Sequence, residues 1–502
     1  MKEKFYITTA IDYPNAKPHI GHALEKLHAD AIARYKRMAG YDVFYLTGTD
    51  DHGVKNVRAA KAAGIPVAKF VDKNVDYFKQ LVKSLDISND YFIRTTNKTL
   101  HWPAVRKIWR AFEKNGDIYK KKYEGLYCAG HEAFVTSKDL NKEGECKMHG
   151  KKPDEVSEEN YFFKLSKYAK QVYKLIKSNK IEIVPVSRRN EVLSFLEKDV
   201  EDVSFSRPRA DLKWGVPVPS DKTHTVYVWA DALTNYISAL GWGTSKSTKF
   251  KKYWPADVHV IGKDILRFHA AYWPAMLLSA KIPLPKKIFV HGFISVDGQK
   301  ISKSLGNIIN PANIIKQYSA SGSSRVGVDA LRYYLLSEIP PTRDGDFSQE
   351  KFEARYNGDL ALGLGNFLAR ITSLGQKYLN KSIKADYTGI KTEIDKKWKA
   401  YELAMEGFNF PLAIKKAQEL VAYGDKKIND SKLWVLARED SAKFEKEIAQ
   451  VGTILATVAQ MLLPIIPQSA EKIFDSIGVD PNSNKEWRFR FKKGEALFPR
   501  LE

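Results

Sequence analysis

Two short stretches of the chain hold residue types suited to phosphate chemistry. In "NAKPHIGHALEK", residues 15–26, His19 and His22 flank Ile20 and Gly21 just ahead of a run with helical spacing. A helix that starts near Ile20 presents its first N–H groups and the positive end of its dipole to whatever lies in front, which suits an anion. Gly21 omits a side chain where a nucleotide base or ribose has to approach, and His19 and His22 reach the same anion from two sides. Much later, "DGQKISKSLGN" places Lys300 and Lys303 around Ser302 on a loop between Gly298 and Gly306. Two lysines on such a loop can close over phosphates and neutralise the charge that grows in a phosphoryl transition state. Taken singly, the histidines also read as a metal pair, an acid/base pair or bystanders, and the lysines as a solvated basic loop.

The elements around these stretches follow an α/β pattern. "KFYITTAI", residues 4–11, is a β-branched and aromatic run that leads through a Pro/Asn turn into a helix with Leu24, Leu27, Ala31 and Ile32 on one face. "YDVFYLTGTDDHG", residues 41–53, is an unbroken apolar run of the kind found in parallel strands covered on both faces. Helical patterns continue to about residue 115. Residues 116–214 are lysine-rich and turn-rich, contain both cysteines, and read as an insertion. The α/β signal then resumes in "TVYVWADALTNY", "DVHVIGKDILRFHAAYW" and "KIFVHGFISVDGQKISKS", the last turning at Asp297-Gly298 as a hairpin. Beyond residue 355, "LALGLGNFLARITSLGQKYL" and "FPLAIKKAQELVAYGDKKI" have helical periodicity and predict a bundle. In a doubly wound domain of this type, ligands collect at the carboxyl ends of the strands.

Composition sets the outer limits. With 502 residues, 44% of them hydrophobic, the chain is long enough for several cores. The apolar stretch "ILATVAQMLLPIIP", residues 454–467, carries two prolines and falls short of the roughly 18–20 residues of a membrane span. No secretory signal precedes residue 15, and two cysteines are too few for a disulfide framework, so the expected location is the cytoplasm with no membrane partner. A formal charge of +22 alongside 59 acidic residues fits a polyanionic partner such as nucleic acid, or a lysine-rich solubilising surface.

Considered together, the two stretches resemble a family. "HIGH" at 19–22 matches the first signature of the class I aminoacyl-tRNA synthetases without substitution, and "KISKS" at 300–304 matches the second, usually written KMSKS, with Ile301 in the place of methionine. Within that class the chain is most similar to the methionyl-tRNA synthetases over nearly its whole length. The similarity includes "TGTDDHG" at 47–53, "YCAGHEAF" at 127–134, "SRPRADLKWGVPVP" at 206–219, "YVWADALTNY" at 227–236, "IGKDILRFH" at 261–269 and "DALRYYLL" at 329–336. Leucyl-, valyl- and isoleucyl-tRNA synthetases share both signatures but resemble longer proteins with a large editing insertion.

The resemblance implies activation of L-methionine by Mg2+-ATP to methionyl-adenylate, followed by transfer to tRNA(Met), including the initiator, at the 2′-hydroxyl first. It implies catalysis by His19, His22, Lys300 and Lys303, with Gly21 and Gly262 also at the ATP. Ala10, Ile11, Tyr13, Trp229, Ala232, Leu233, Tyr236, Ile265 and His269 would line the methionine pocket, with Asp50 on the ammonium. A thioether hydrogen-bonds hardly at all, so its recognition rests on shape, polarisable aromatic contact and exclusion of polar rivals. A carboxylate is already ionised near pH 7, so no general base is called for and the site has to position and neutralise.

Cys128-x2-His131 and Cys146-x2-His149 have the ligand types and spacing of a tetrahedral zinc knuckle. The family more often has cysteine where His131 stands, and some members have lost the metal, so structural Zn2+ and a metal-free relic both stay open. In the helical third, Asn366 and Arg370 of "GNFLAR" lie four apart on one face, and "INDSKLW" ends in Trp434. These are residue types that stack on and bond to single-stranded anticodon bases. Leu433 replaces a proline common in the family, and "SASGSSRVG", residues 319–327, is an extra Ser/Gly stretch expected as a surface loop.

The expected architecture is thus α/β: a split doubly wound Rossmann catalytic domain (1–115 and 215–318), a connective insertion (116–214), a linking stem-contact segment (319–355) and an all-α anticodon-binding bundle (356–502). The chain is expected to act as a monomer, since no further module follows the bundle. A catalytically silent tRNA-binding paralogue is the alternative, and the two intact signatures count against it.

Overall fold

The computed structural model describes residues 2–128, 133–135, 137–148, 150–198, 200–301, 306–319, 324–481 and 486–501. The chain divides into two compact units, one made of Met1–Pro18, Gly40–Val82 and Ser88–His291, the other of His19–Ala39, Lys83–Ile87 and Gly292–Glu502.

The first unit is built on a six-stranded parallel sheet. Its strands lie in the order Tyr91–Arg94, Asp42–Thr49, Lys4–Thr9, Val258–Gly262, Lys287–His291 and Glu182–Val184. Lys4 pairs with Asp42 on one side and Ile7 with Val258 on the other. Every residue of Val258–Gly262, and all but the first of Asp42–Thr49, is buried, as the apolar runs predict for strands covered on both faces. The chain moves outward from Lys4–Thr9 in one direction, then returns to its other side, so the strand order reverses there. Three segments leave the carboxyl ends at this switch point: Ala10–Tyr13, Asp50–His52 and Gly262–His269.

Both edge strands fall where the sequence showed none, Tyr91–Arg94 in a stretch with helical patterns and Glu182–Val184 within the stretch expected as insertion. Segments of three or four residues are too short to display a period of two. The rest of the inserted stretch forms an antiparallel sheet in which Ile118–Cys128 pairs along its length with Asp154–Phe163, flanked by Ala133–Val135 and Val203–Ser204. The strand expected in "TVYVWADALTNY" is His224–Val226. It pairs antiparallel with Ser206–Pro208 rather than joining the parallel sheet, and is followed by helices Val228–Ala232 and Asn235–Ser238.

In the second unit, helix Ile20–Met38 is anchored by a buried ion pair. Asp30 accepts from Arg34 Nε at 2.9 Å and from Arg332 Nη2 at 2.7 Å, and Arg332, fully buried, also donates to the carbonyls of Leu85, Pro464 and Ile465. Removing either partner of such a pair leaves an uncompensated charge, at a cost of about 3–5 kcal/mol. The hairpin Ile294–Val296 and Gln299–Lys300 turns at Asp297 and Gly298, both with positive φ (49° and 74°), as a two-residue turn that keeps the strand twist requires. Helices Asn366–Tyr378, Lys391–Glu406, Phe410–Asp430, Ser441–Leu462 and Pro467–Ile477 make the expected bundle. The extra Ser/Gly stretch is not all loop. Residues 320–323 lie outside the described residues, but helix Ser324–Ser337 begins within the stretch, Val326 is buried, and Gly327 is so close to the Ile315 carbonyl that no Cβ would fit. Among the described residues, no helix is long and apolar enough to cross a membrane.

Candidate active site

The residues implied for methionine converge at the switch point. Ala10, Trp229, Ala232, Leu233, Tyr236 and His269 are all buried, and Ile11, Tyr13 and Ile265 pack half-buried against the same core cluster. Two short helices, Val228–Ala232 and Asn235–Ser238, bring Trp229 and Tyr236 into register. A π-helical turn, Phe268–Tyr272, brings in Phe268 and His269, and such turns recur at functional sites. Trp229 lies flat on Phe268, with ring centroids 3.7 Å apart and planes within 4°. His269 Nδ1 lies 3.0 Å from the Ile265 carbonyl, which can only accept, so the ring donates from Nδ1, and its Nε2 is hydrogen-bonded to the Tyr236 hydroxyl, 2.7 Å away. Behind Tyr236, His259 packs at 4.3 Å between centroids and is tied to the Thr8 hydroxyl at 2.7 Å. Burial and the nearby His269 hold His259 far below the usual histidine range, hence neutral.

Asp50, buried at the end of its parallel strand, sits on a loop fixed from several directions. Asn56 Nδ2 donates to the carbonyls of Asp50 and His52, both at 3.0 Å, Trp214 Nε1 donates to the Asp51 carbonyl at 2.6 Å, and Thr95 Oγ1 lies 3.4 Å from Asp50 Oδ1. The Arg94 guanidinium is bonded to Asp51, not Asp50, at 2.7 Å.

The helix end at His19 and His22 differs from the expectation. His19 Nδ1 accepts from the Gly21 N–H at 3.1 Å and His22 Nδ1 accepts from the His19 N–H at 3.0 Å, a reciprocal cap made of two imidazoles. The Ile20 N–H is taken by the Ile309 carbonyl, and those of His22 and Ala23 by the carbonyl of His19. The open row of N–H groups expected at this terminus is therefore occupied, because histidine at the cap position accepts as asparagine would. Burial and the adjacent His22 ring push His19 down to about 3. Burial and Lys26 push His22 down to about 4. Both rings are neutral at pH 7, and a neutral ring that accepts at Nδ1 carries its proton on Nε2, where it is a donor to an anion. A Cβ at Gly21 would stand 3.0 Å from His19 Cε1, so the glycine leaves room for the cap itself.

Of the remaining expected residues, Lys300 pairs by its backbone with Ser295 in the hairpin, while its side chain and all of Lys303 lie outside the described residues. Gly262 ends its strand, and a Cβ there would meet Asp264 Oδ1 at 2.8 Å. Cys128 and Cys146 are both buried in one small cluster with Val135, and neither is in a disulfide. His131 and His149 lie outside the described residues, and among the described ones no group of three potential ligands gathers. Asn366 is exposed and Trp434 is 44% exposed, so packing does not explain the tryptophan. Arg370 is already engaged, donating to Asp425 at 2.7 Å and to Asn429 at 2.5 Å.

Sequence reasoning overlooked Phe268, His259 and Thr8 behind the pocket, and Asn56, Thr95 and Trp214 around Asp50. "IGKDILRFH" and "TGTDDHG" contain some of them, but a contact across strands leaves no spacing signal.

The model of the family "tRNA synthetases class I (M)" matches residues 5–143 and 135–372. Methionine–tRNA ligase of Caldanaerobacter subterraneus is 41% identical over 527 residues, covering 100% of this chain and 80% of the relative. That of Thermotoga maritima is 43% identical over 499 residues, covering 96% and 76%. Among solved structures, Mycobacterium tuberculosis methionyl-tRNA synthetase in complex with methionyl-adenylate superposes with a TM-score of 0.93 at 37% identity, over 99% of this chain and 100% of that one. Signatures, sheet topology, family model and near full-length relatives agree: the chain belongs to the class I tRNA synthetases, in the methionine–tRNA ligase family.

Proposed function

We propose that the chain activates L-methionine with Mg2+-ATP and transfers the methionyl group to tRNA(Met), initiator included. The observation that carries the reading is the aromatic cluster of Trp229, Tyr236, Phe268 and His269. Its Tyr236 hydroxyl and both His269 nitrogens are engaged with each other and with the Ile265 carbonyl, leaving an aromatic surface that suits a thioether. A more polar side chain entering there would lose its water, and the Tyr236 hydroxyl and His269 nitrogens are already engaged. Asp50 receives the substrate ammonium. The methionine carboxylate, ionised on arrival, attacks the α-phosphorus in line while pyrophosphate leaves. His19 and His22 donate from Nε2 to phosphate oxygens, with Gly21 and Gly262 beside the nucleotide, and Lys300 and Lys303 neutralise charge that accumulates in the transition state. Magnesium arrives with the ATP phosphates as part of the substrate.

In this reading residues 1–115 and 215–318 form the catalytic domain, 116–214 the connective insertion, 319–355 the link and 356–502 the anticodon-binding bundle. Trp434, exposed on a short helix, stacks on an anticodon base, with Asn366 and Arg370 bonding to base edges, for which Arg370 exchanges its hold on Asp425. Trp434→Ala then lowers kcat/KM for tRNA by about 10–100-fold and leaves amino acid activation unchanged. Cys128 and Cys146, both buried in one cluster, suit a structural Zn2+ completed by His131 and His149. Metal analysis of the protein purified without added metal tests that part, and well below one zinc per chain counts against it. The whole reading is tested by aminoacylation of initiator and elongator tRNA(Met) with labelled methionine. Charging of both is expected, and charging of neither, with the protein folded, would favour a silent tRNA-binding role.

A further inference from the structure

Asp231, in the middle of "YVWADALTNY", has no part in the reaction described above, yet it is a buried carboxylate held from both sides. It is fully buried between two histidines, with His52 Nδ1 2.6 Å from one oxygen and His101 Nε2 2.8 Å from the other. His101 Nδ1 is backed in turn by Ser238 Oγ at 2.8 Å, and all four residues are at most 2% exposed. Burial alone would raise the Asp231 carboxyl, but the two histidines outweigh it and hold the group at about 2, so it stays ionised. A carboxylate can only accept, so both rings aim N–H groups at it.

The placement of these bonds gives them a consequence. Successive residues of a helix are turned by about 100°, which puts Trp229, Ala232 and Leu233 on one face of Val228–Ala232 and Asp231 on the opposite one. A five-residue helix is too short to hold its own orientation, so the bonds on its back face decide where its pocket face sits. The same carboxylate grips His52, two residues from Asp50, in the loop whose other side is pinned by Asn56. We infer that Asp231 is a positioning residue for the methionine site, which through His52 and His101 sets the aromatic wall at a fixed distance from the Asp50 carboxylate. The inference rests on the methionine reading of the pocket.

The test is calorimetric titration of the full chain with L-methionine alone, together with KM for ATP in pyrophosphate exchange. Asp231→Asn keeps the shape but turns an NH2 group toward one histidine N–H. It is expected to weaken methionine binding about tenfold or more while KM for ATP stays within about twofold, since displacing a group by a fraction of an ångström affects only the ligand it orients. Ser238→Ala, which removes the backing of His101 and a longer bond to the Asn235 carbonyl, is expected to move methionine in the same direction by less. Methionine binding unchanged in both variants, or methionine and ATP weakened alike, overturns the inference. Should Asp231→Asn not fold, Ser238→Ala and His52→Gln carry the same criterion. A wild-type chain that binds no methionine overturns the methionine reading itself, and this inference with it.

Discussion

The pocket around Trp229 and the helix end at His19 and His22 follow opposite electrostatic plans. Around Trp229, the residues Tyr236 and His269 and the Ile265 carbonyl are bonded to one another, and the rings pack against each other. At the helix end, two imidazoles each accept from the backbone at Nδ1, and in the proposed mechanism the lysines of "KISKS" supply charge from a separate segment. In the proposed function the first plan suits a neutral, polarisable side chain that is the same in the ground state and in the transition state, and the second suits negative charge that changes during the reaction. Substitutions in the pocket should therefore register mainly in methionine binding, and substitutions at the helix end and lysine loop mainly in kcat.

The strongest test of that division is Lys303→Ala. It is expected to lower kcat for methionine-dependent pyrophosphate exchange by about 10²–10³-fold, the cost of removing one charge-stabilising group, with methionine affinity by titration unchanged. A loss of methionine affinity instead would break the comparison. Next comes a pair at His19. His19→Asn keeps an acceptor for the helix cap and is expected to lose about 10²-fold in kcat with stability held within a few tenths of a kcal/mol. His19→Ala is expected to lose the same activity and about 1 kcal/mol of stability besides. Equal stability of the two variants in urea unfolding would show that the imidazole cap contributes little.

On the pocket side, Tyr236→Phe strands His269 Nε2 in a buried site. Stability should fall by about 1–3 kcal/mol and methionine binding by about tenfold, with KM for ATP unmoved. The smallest expected effect is on pH dependence. His19 at about 3 and His22 at about 4 lie below the usual value near 6.5 that they regain on unfolding. As pH falls, the unfolded chain takes up protons first. The stability these rings contribute is thus complete above about pH 6.5 and is lost progressively down to their folded values. The double variant His19→Asn/His22→Asn should lose less melting temperature than wild type between pH 7.5 and 5.5, and these rings should give the exchange rate no inflection between pH 5 and 8.

The two regions also differ in how far the sequence discloses them. The apolar runs at residues 4–11 and 41–49, the turn at Asp297-Gly298 and the helix start at Ile20 were legible because each is a local pattern with a physical period or a required φ. The edge strands Tyr91–Arg94 and Glu182–Val184 were not, since three or four residues carry no period and their partners lie far away in the chain. At the helix end, residue types announced phosphate chemistry, but not that the imidazoles would occupy the first N–H groups, because histidine is not among the usual capping residues. Around the pocket, Trp229 and Tyr236 stood out by spacing and resemblance. Phe268 against Trp229, and Asp231 between His52 and His101, depend on contacts between segments more than thirty residues apart that only the folded chain brings together.

The central proposal is that the chain activates methionine with ATP. Exchange of labelled pyrophosphate into ATP by the purified chain, with and without L-methionine and with L-leucine as the control, tests it most directly. Exchange that depends on methionine and is not supported by leucine is the predicted result. Exchange at background level with methionine, or equal with both amino acids, would contradict it.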